Sequence, residues 1–243
     1  MNLGLKSKNV VITGGSRGIG KAIAFAFAAE GANVALGGPA DHALRQTEAE
    51  LAATGVTVFT HPCDPSNPVD VDNFLDAAKT RFGRVDVLVN NVSGLPDWES
   101  SLNVDLMTFI RATEKVTPWM AKNGGGSVLY VASNPGKDGA CTPGHGAAKA
   151  ALLSYAKTMA HSLAPQGIRL NCLTPGCIEF VGGGWEPGGS RPFFDKLLNS
   201  IPSGRLGRAD EVANVAVFLA SDAARWVTGA CVPVDGGRQK VVA

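Results

Sequence analysis

One segment limits what this chain can fold into more than any other. Residues 9–13, Asn-Val-Val-Ile-Thr, are a β-type run of buried character. Gly14-Gly15-Ser16-Arg17-Gly18-Ile19-Gly20 follows at once, and residues 21–30 then carry the pattern of an alanine-rich helix. A strand that turns on glycines into a helix sets the helix N-terminus, with its unpaired N–H groups and positive dipole end, beside the strand end. Gly14 is able to take a backbone conformation closed to other residues, and Gly18 and Gly20 let backbone and phosphate come close. The turn is read as a dinucleotide phosphate site formed by Gly14, Ser16, Arg17, Gly18, Ile19 and Gly20.

The same theme continues along the chain. Short apolar runs at 33–36, 56–61, 85–90, 127–132, 168–173 and 230–234 alternate with helical patterns at 41–53, 69–82, 100–122, 146–164 and 209–220. Asp41 is placed to cap the second helix. This alternation predicts an α/β fold, a single-domain Rossmann-type doubly wound parallel sheet with helices on both faces. The strands are apolar throughout, as burial on both faces requires. No linker divides the 243 residues, so 1–243 is read as one domain. The glycine-rich stretch 175–189 marks a mobile substrate lid, set at about 178–205.

Composition adds exclusions. With 45% hydrophobic and 18% charged residues the chain is a packed protein, not a disordered one. A net charge of +1 without a basic block leaves no footprint for nucleic acid. The apolar runs are strand-length or interrupted, so no membrane span is expected. The N-terminus has no apolar signal core. Five scattered cysteines without a CxxC pair read as reduced thiols of a soluble, cytoplasmic protein with no metal site.

An NAD-specific site carries a carboxylate at the end of the second strand to hold the ribose 2′-hydroxyl. That place reads Gly37-Gly38-Pro39, and Asp41 comes slightly later. Arg17 is instead placed to meet a 2′-phosphate. The cofactor reading therefore leans towards NADP(H) over NAD(H).

Several ordered motifs together make the chain resemble the short-chain dehydrogenase/reductase family over nearly its whole length. Residues 13–20 match its Thr-Gly-x-x-x-Gly-Ile-Gly turn. Cys63-Asp64 resembles the acidic site at the adenine ring. Residues 86–91, with Asn90, match the strand leading to the family's Asn-Asn-Ala-Gly, continued here as Val92-Ser93-Gly94. Asn103-Val104 resembles the helix asparagine of the catalytic tetrad, and Ser133 the catalytic serine. Pro175 and Gly176 match the turn beside the nicotinamide, where Ile178 also falls. The segments at 205–208, 218–221, 228–229 and 234–237 follow the family's C-terminal pattern. The resemblance implies hydride transfer between a nicotinamide cofactor and a secondary alcohol or ketone. It also implies a homotetramer or dimer paired through the helices at 100–122 and 146–164.

The chain departs from that pattern at its centre. Where the family has Tyr-x-x-x-Lys, it reads His145-Gly146-Ala147-Ala148-Lys149. The two residues share a helix face. Lys149 fits the lysine that holds the nicotinamide ribose, and His145 stands in the tyrosine's place. Tyr130 and Tyr155 are badly placed to substitute. Imidazole serves as acid or base, but a lysine cation on the same face works against a charged ring. Taken alone, this favours a base, hence alcohol oxidation. Three roles stay open for His145: working acid/base, a lyase- or hydrolase-type step on the same scaffold, or the mark of a cofactor-binding protein with impaired turnover.

A second departure is Phe180, where a threonine that binds the carboxamide is expected. Trp98, Phe180, Trp185, Phe193 and Phe194 fall in segments that line the family's pocket. They point to an apolar or ring-bearing small-molecule substrate, or else to lid and subunit packing.

Overall fold

A computed structural model describes residues 2–94, 97–138, 141–183, 185 and 194–240. Strand β1 (Asn9–Thr13) runs into helix α1 (Gly18–Ala29), which starts earlier than the apolar pattern because the glycines themselves open it. Then follow β2 (Asn33–Gly38), α2 (His42–Ala52), β3 (Val58–Pro62), α3 (Pro68–Phe82) and β4 (Val87–Asn90). The expected helix at 100–122 is broken. It consists of α4 (Trp98–Leu102), a widened π-type turn (Asn103–Met107) and α5 (Thr108–Lys122). Next come β5 (Gly126–Val131), the short α6 (Pro135–Asp138), the long α7 (Pro143–Leu163) and β6 (Ile168–Pro175). Strand β7 (Ile178–Glu179), α8 (Phe194–Asn199), β8 (Gly207–Arg208), α9 (Ala209–Ala220) and β9 (Cys231–Val234) complete the described chain.

Seven strands form one parallel sheet in the order β3-β2-β1-β4-β5-β6-β9. Strands β7 and β8 pair separately. The order reverses at β1, so a crevice opens at the C-terminal ends of β1 and β4, the place where such sheets bind ligands. Thr13 is in register with Gly37 on one side and Asn90 on the other. The glycine turn, the end of β2 and Asn90 therefore stand at one level.

Both sheet faces are covered, as the apolar strands require. One face packs under α3, α5 and α7 through Leu75, Phe109, Val116, Val128 and Leu152. The other packs under α1, α2 and α9 through Ile12, Ile23, Phe27, Leu51 and Val217. Among the described residues no helix is long and apolar enough to cross a membrane. Of the lid expected at about 178–205, residues 184 and 186–193 lie outside the described residues.

Candidate functional site

The phosphate turn is built tightly. Gly18 has φ of +54°, a conformation that costs a side-chain-bearing residue roughly 1–2 kcal/mol. A Cβ on Gly20 would lie 2.1 Å from the Gly14 carbonyl oxygen. Asn91 braces the turn: its backbone N–H donates to Thr13 Oγ1 (3.1 Å) and its Nδ2 to the Gly14 carbonyl (2.8 Å). The N-cap residue of α1, Arg17, makes no side-chain cap, so no side chain of the cap answers the first N–H groups of the helix. Asn90 is wholly buried, and neither its Nδ2 nor its Oδ1 has a hydrogen-bond partner. At the turn opens a cavity of about 310 Å³, lined among others by Thr13, Ser16, Arg17, Gly38, Cys63 and Asn91. A helix N-terminus without a side-chain cap and glycines without room for a Cβ, set beside this cavity, fit a dinucleotide. A larger cleft of about 680 Å³ lies at the opposite, N-terminal ends of the strands, away from this turn.

The other expected cofactor contacts have varied surroundings. Arg17 pairs with Asp41, whose other oxygen accepts from Leu44 N–H (3.0 Å) and caps α2 as expected. Thus a carboxylate does stand near the end of β2, engaged with Arg17. Asp64 is exposed, and its Oδ1 accepts from Ser66 N–H and Oγ–H. Pro175 and Gly176 are tied to their neighbours: Asn134 N–H donates to the Pro175 carbonyl and Gly176 N–H to that of Val234. Ile19 is half-buried, and the side chain of Ile178 is buried.

Phe180 is half-buried. Its ring lies on the glycine turn, where a Cβ added to Gly18 would come within 2.8 Å of it. Trp98 is exposed, and Trp185 packs partly against Cys177, Ile201 and Leu206. Phe193 and the side chain of Phe194 lie outside the described residues.

The second half of the site sits at the start of α7. His145 and Lys149 share a face there, but a third residue joins them. Asp105, on the π-type turn, is completely buried. Its Oδ2 lies 3.0 Å from His145 Nδ1 and its Oδ1 3.1 Å from Lys149 Nζ. Lys149 Nζ also stands 4.6 Å from the centre of the Phe109 ring, a cation–π distance. Burial would raise the Asp105 carboxyl, but the His145 hydrogen bond and the Lys149 charge outweigh it and hold it at about 2. Burial pulls Lys149 below its ordinary value, opposed by Asp105. The repulsion expected between His145 and Lys149 is therefore answered by a carboxylate with one oxygen on each.

Asn103, expected as a member of the catalytic tetrad, lies at the start of the π-type turn. Its side chain is exposed, and its carbonyl accepts from Thr108 Oγ1 (3.1 Å). Asn103 is exposed and Asp105, two residues on, is buried, so the two face opposite ways. It is Asp105, a residue the sequence reading did not single out, that stands beside Lys149. A sequence signal existed: Asp105 lies on the same stripe as Phe109, Ala112 and Val116, a charge among core residues. Ser133 is half-buried at the end of β5. Neither tyrosine is available to replace the missing one. Tyr130 is buried with its hydroxyl 2.6 Å from Thr113 Oγ1, and burial pushes its phenol well up. Burial pushes Tyr155 up to about 12.

The model of the family described as "Enoyl-(Acyl carrier protein) reductase" matches residues 14–239. Isoepoxydon dehydrogenase of Penicillium expansum is 34% identical, over 98% of this chain and 96% of its own. The chain is a short-chain dehydrogenase/reductase. Among its other relatives, 7alpha-hydroxysteroid dehydrogenase of Escherichia coli K12 is 32% identical over 97% of this chain and 96% of its own. The solved structure of a 7 alpha-hydroxysteroid dehydrogenase complexed with NADH and 7-oxo glycochenodeoxycholic acid superposes with a TM-score of 0.91 at 31% identity. It covers 99% of this chain and 98% of that one. L-sorbose reductase of Gluconobacter frateurii, complexed with NADPH and L-sorbose, gives 0.89 at 30% identity, with both chains fully covered. This short-chain dehydrogenase/reductase is accordingly an NAD(P)-dependent oxidoreductase of the alcohol/ketone class.

Proposed function

We propose that this enzyme is an NADP(H)-preferring oxidoreductase that interconverts a secondary alcohol and a ketone, with His145 moving the proton. The observation that carries this reading is the pairing of His145 Nδ1 with buried Asp105, one helical turn from Lys149, which leaves Nε2 for a substrate oxygen. The bound dinucleotide supplies or accepts the hydride. Ser133 orients the reacting oxygen by a hydrogen bond. His145 gives a proton to that oxygen in reduction and takes it in oxidation. Lys149 holds Asp105 in place and offers its remaining N–H groups to the nicotinamide ribose. Arg17 supports the NADP(H) preference: Asp41 keeps its guanidinium at the rim of the cavity where β2 ends in Gly37-Gly38-Pro39. The substrate is taken as apolar or ring-bearing, in keeping with the aromatic residues near the site and the steroid ketone bound by one relative. Exposed Trp98, Leu102 and Met107 support assembly as a dimer or tetramer through the α4–α5 face.

The test is turnover of a panel of steroid and cyclic ketones, ketoses and their alcohols with NADPH and NADH, alongside cofactor titrations. Ketone reduction with NADPH favoured is expected. Arg17→Ala should weaken NADPH binding about tenfold and leave NADH unchanged, since a charge-assisted hydrogen bond contributes ~1.5–3 kcal/mol. Clear preference for NADH in the native protein overturns the cofactor assignment. Absence of turnover on the whole panel overturns the reaction.

A further inference from the structure

We propose that Asp105 is a positioning residue that acts through His145: it fixes the imidazole with its hydrogen on Nδ1, so that Nε2 is the nitrogen that exchanges a proton with substrate. This rests on the acid/base reading of His145. The geometry carries it. Asp105 lies within hydrogen-bond distance of Nδ1, and its other oxygen is occupied by Lys149, so the carboxylate cannot turn away without abandoning a buried cation. An ionised carboxylate only accepts hydrogen bonds, so the shared hydrogen belongs to Nδ1. The ring is then held in one tautomer and one orientation, as in other carboxylate–histidine pairs.

When Nε2 also binds a proton, the positive ring faces Asp105 rather than Lys149 alone. In reduction the Nε2 proton passes to the substrate oxygen. The ring becomes neutral, keeps its Nδ1 hydrogen and recovers the Nε2 proton from water. The pair therefore serves proton donation as well as abstraction.

Two measurements test this. The first is ¹⁵N NMR of histidine-labelled protein without cofactor. In the neutral ring of His145, Nδ1 is expected to carry the hydrogen and Nε2 to be bare. A ring protonated mainly on Nε2 overturns the proposal. The second is a double-mutant cycle on the best ketone of the panel. Asp105→Asn should lower kcat by about 10²-fold or more, the range of a lost acid/base contribution. KM should stay within about threefold, because the loss is confined to the transition state. In a His145→Ala background the same change should cost less than about twofold, because residues that act as a unit are not additive. Equal losses in both backgrounds mean a merely structural role and overturn the proposal. Full turnover in His145→Ala alone overturns the acid/base reading, and the NMR measurement then decides the Asp105 contact by itself. A failure of Asp105→Asn to fold leaves the same measurement on the native protein as the arbiter.

Discussion

Asp105 is wholly buried, and a carboxyl group there stays ionised only if its neighbours supply what water would. His145 and Lys149 do so, and they hold it at about 2, below its ordinary 3.8. A carboxyl depressed on folding contributes stability that is fully present above its unfolded value and lost as pH falls through the folded one. Here the loss runs from about pH 4 to about pH 2. A shift of nearly two units corresponds to about 2 kcal/mol. Asp105→Asn is expected to be less stable at pH 7 and to lose less stability between pH 4 and pH 2, as measured by urea unfolding. Equal slopes in the two proteins contradict this. At this scale the sequence was legible wherever a residue type carries its chemistry alone, as with Gly18, Gly20 and Lys149. It was not legible for Asp105. Its place beside Lys149 depends on which way a helix is turned, and residue type does not state that.

At the scale of elements, the strands and helices around the glycine turn follow from apolar patterning, and their starts and stops from glycine and capping residues. The break at Asn103–Met107 had no such signature, because a widened turn inserts a residue into a helix without a proline or glycine to announce it. Phe180 shows the same limit. Its place after the Pro175-Gly176 turn was readable, while its seat on Gly18 depends on how the segment after β7 folds back. That ring lies on Gly18 at the N-terminus of α1, where the phosphates are proposed to bind, so a bound cofactor is expected to displace it. Burial of a Phe side chain is worth roughly 1.5–3 kcal/mol. Phe180→Thr is therefore expected to tighten NADPH binding by about tenfold, since ~1.4 kcal/mol is one decade. Weaker binding in a fluorescence titration would show instead that the ring helps to hold the cofactor.

For the whole molecule, the alternation of strands and helices predicted the parallel sheet, and the observed order places its switch point at the glycine turn. The two covered faces explain why the strands lack polar alternation. Assembly is a different matter, since no periodicity names a partner. Leu102 and Met107 are exposed large apolar residues on the face through which subunits are proposed to pair. Sedimentation is expected to show a dimer or tetramer, and Leu102→Glu with Met107→Glu to shift it to smaller species. A native monomer contradicts the assignment.

His145 stands where the family resemblance places a tyrosine, and the proposed proton transfer passes through it. Its most direct test is His145→Ala, assayed for NADPH-dependent ketone reduction beside a titration of NADPH binding. Turnover is expected to fall by about 10²- to 10⁴-fold, the size of a lost general acid/base, with cofactor affinity unchanged. Retention of full turnover contradicts the account.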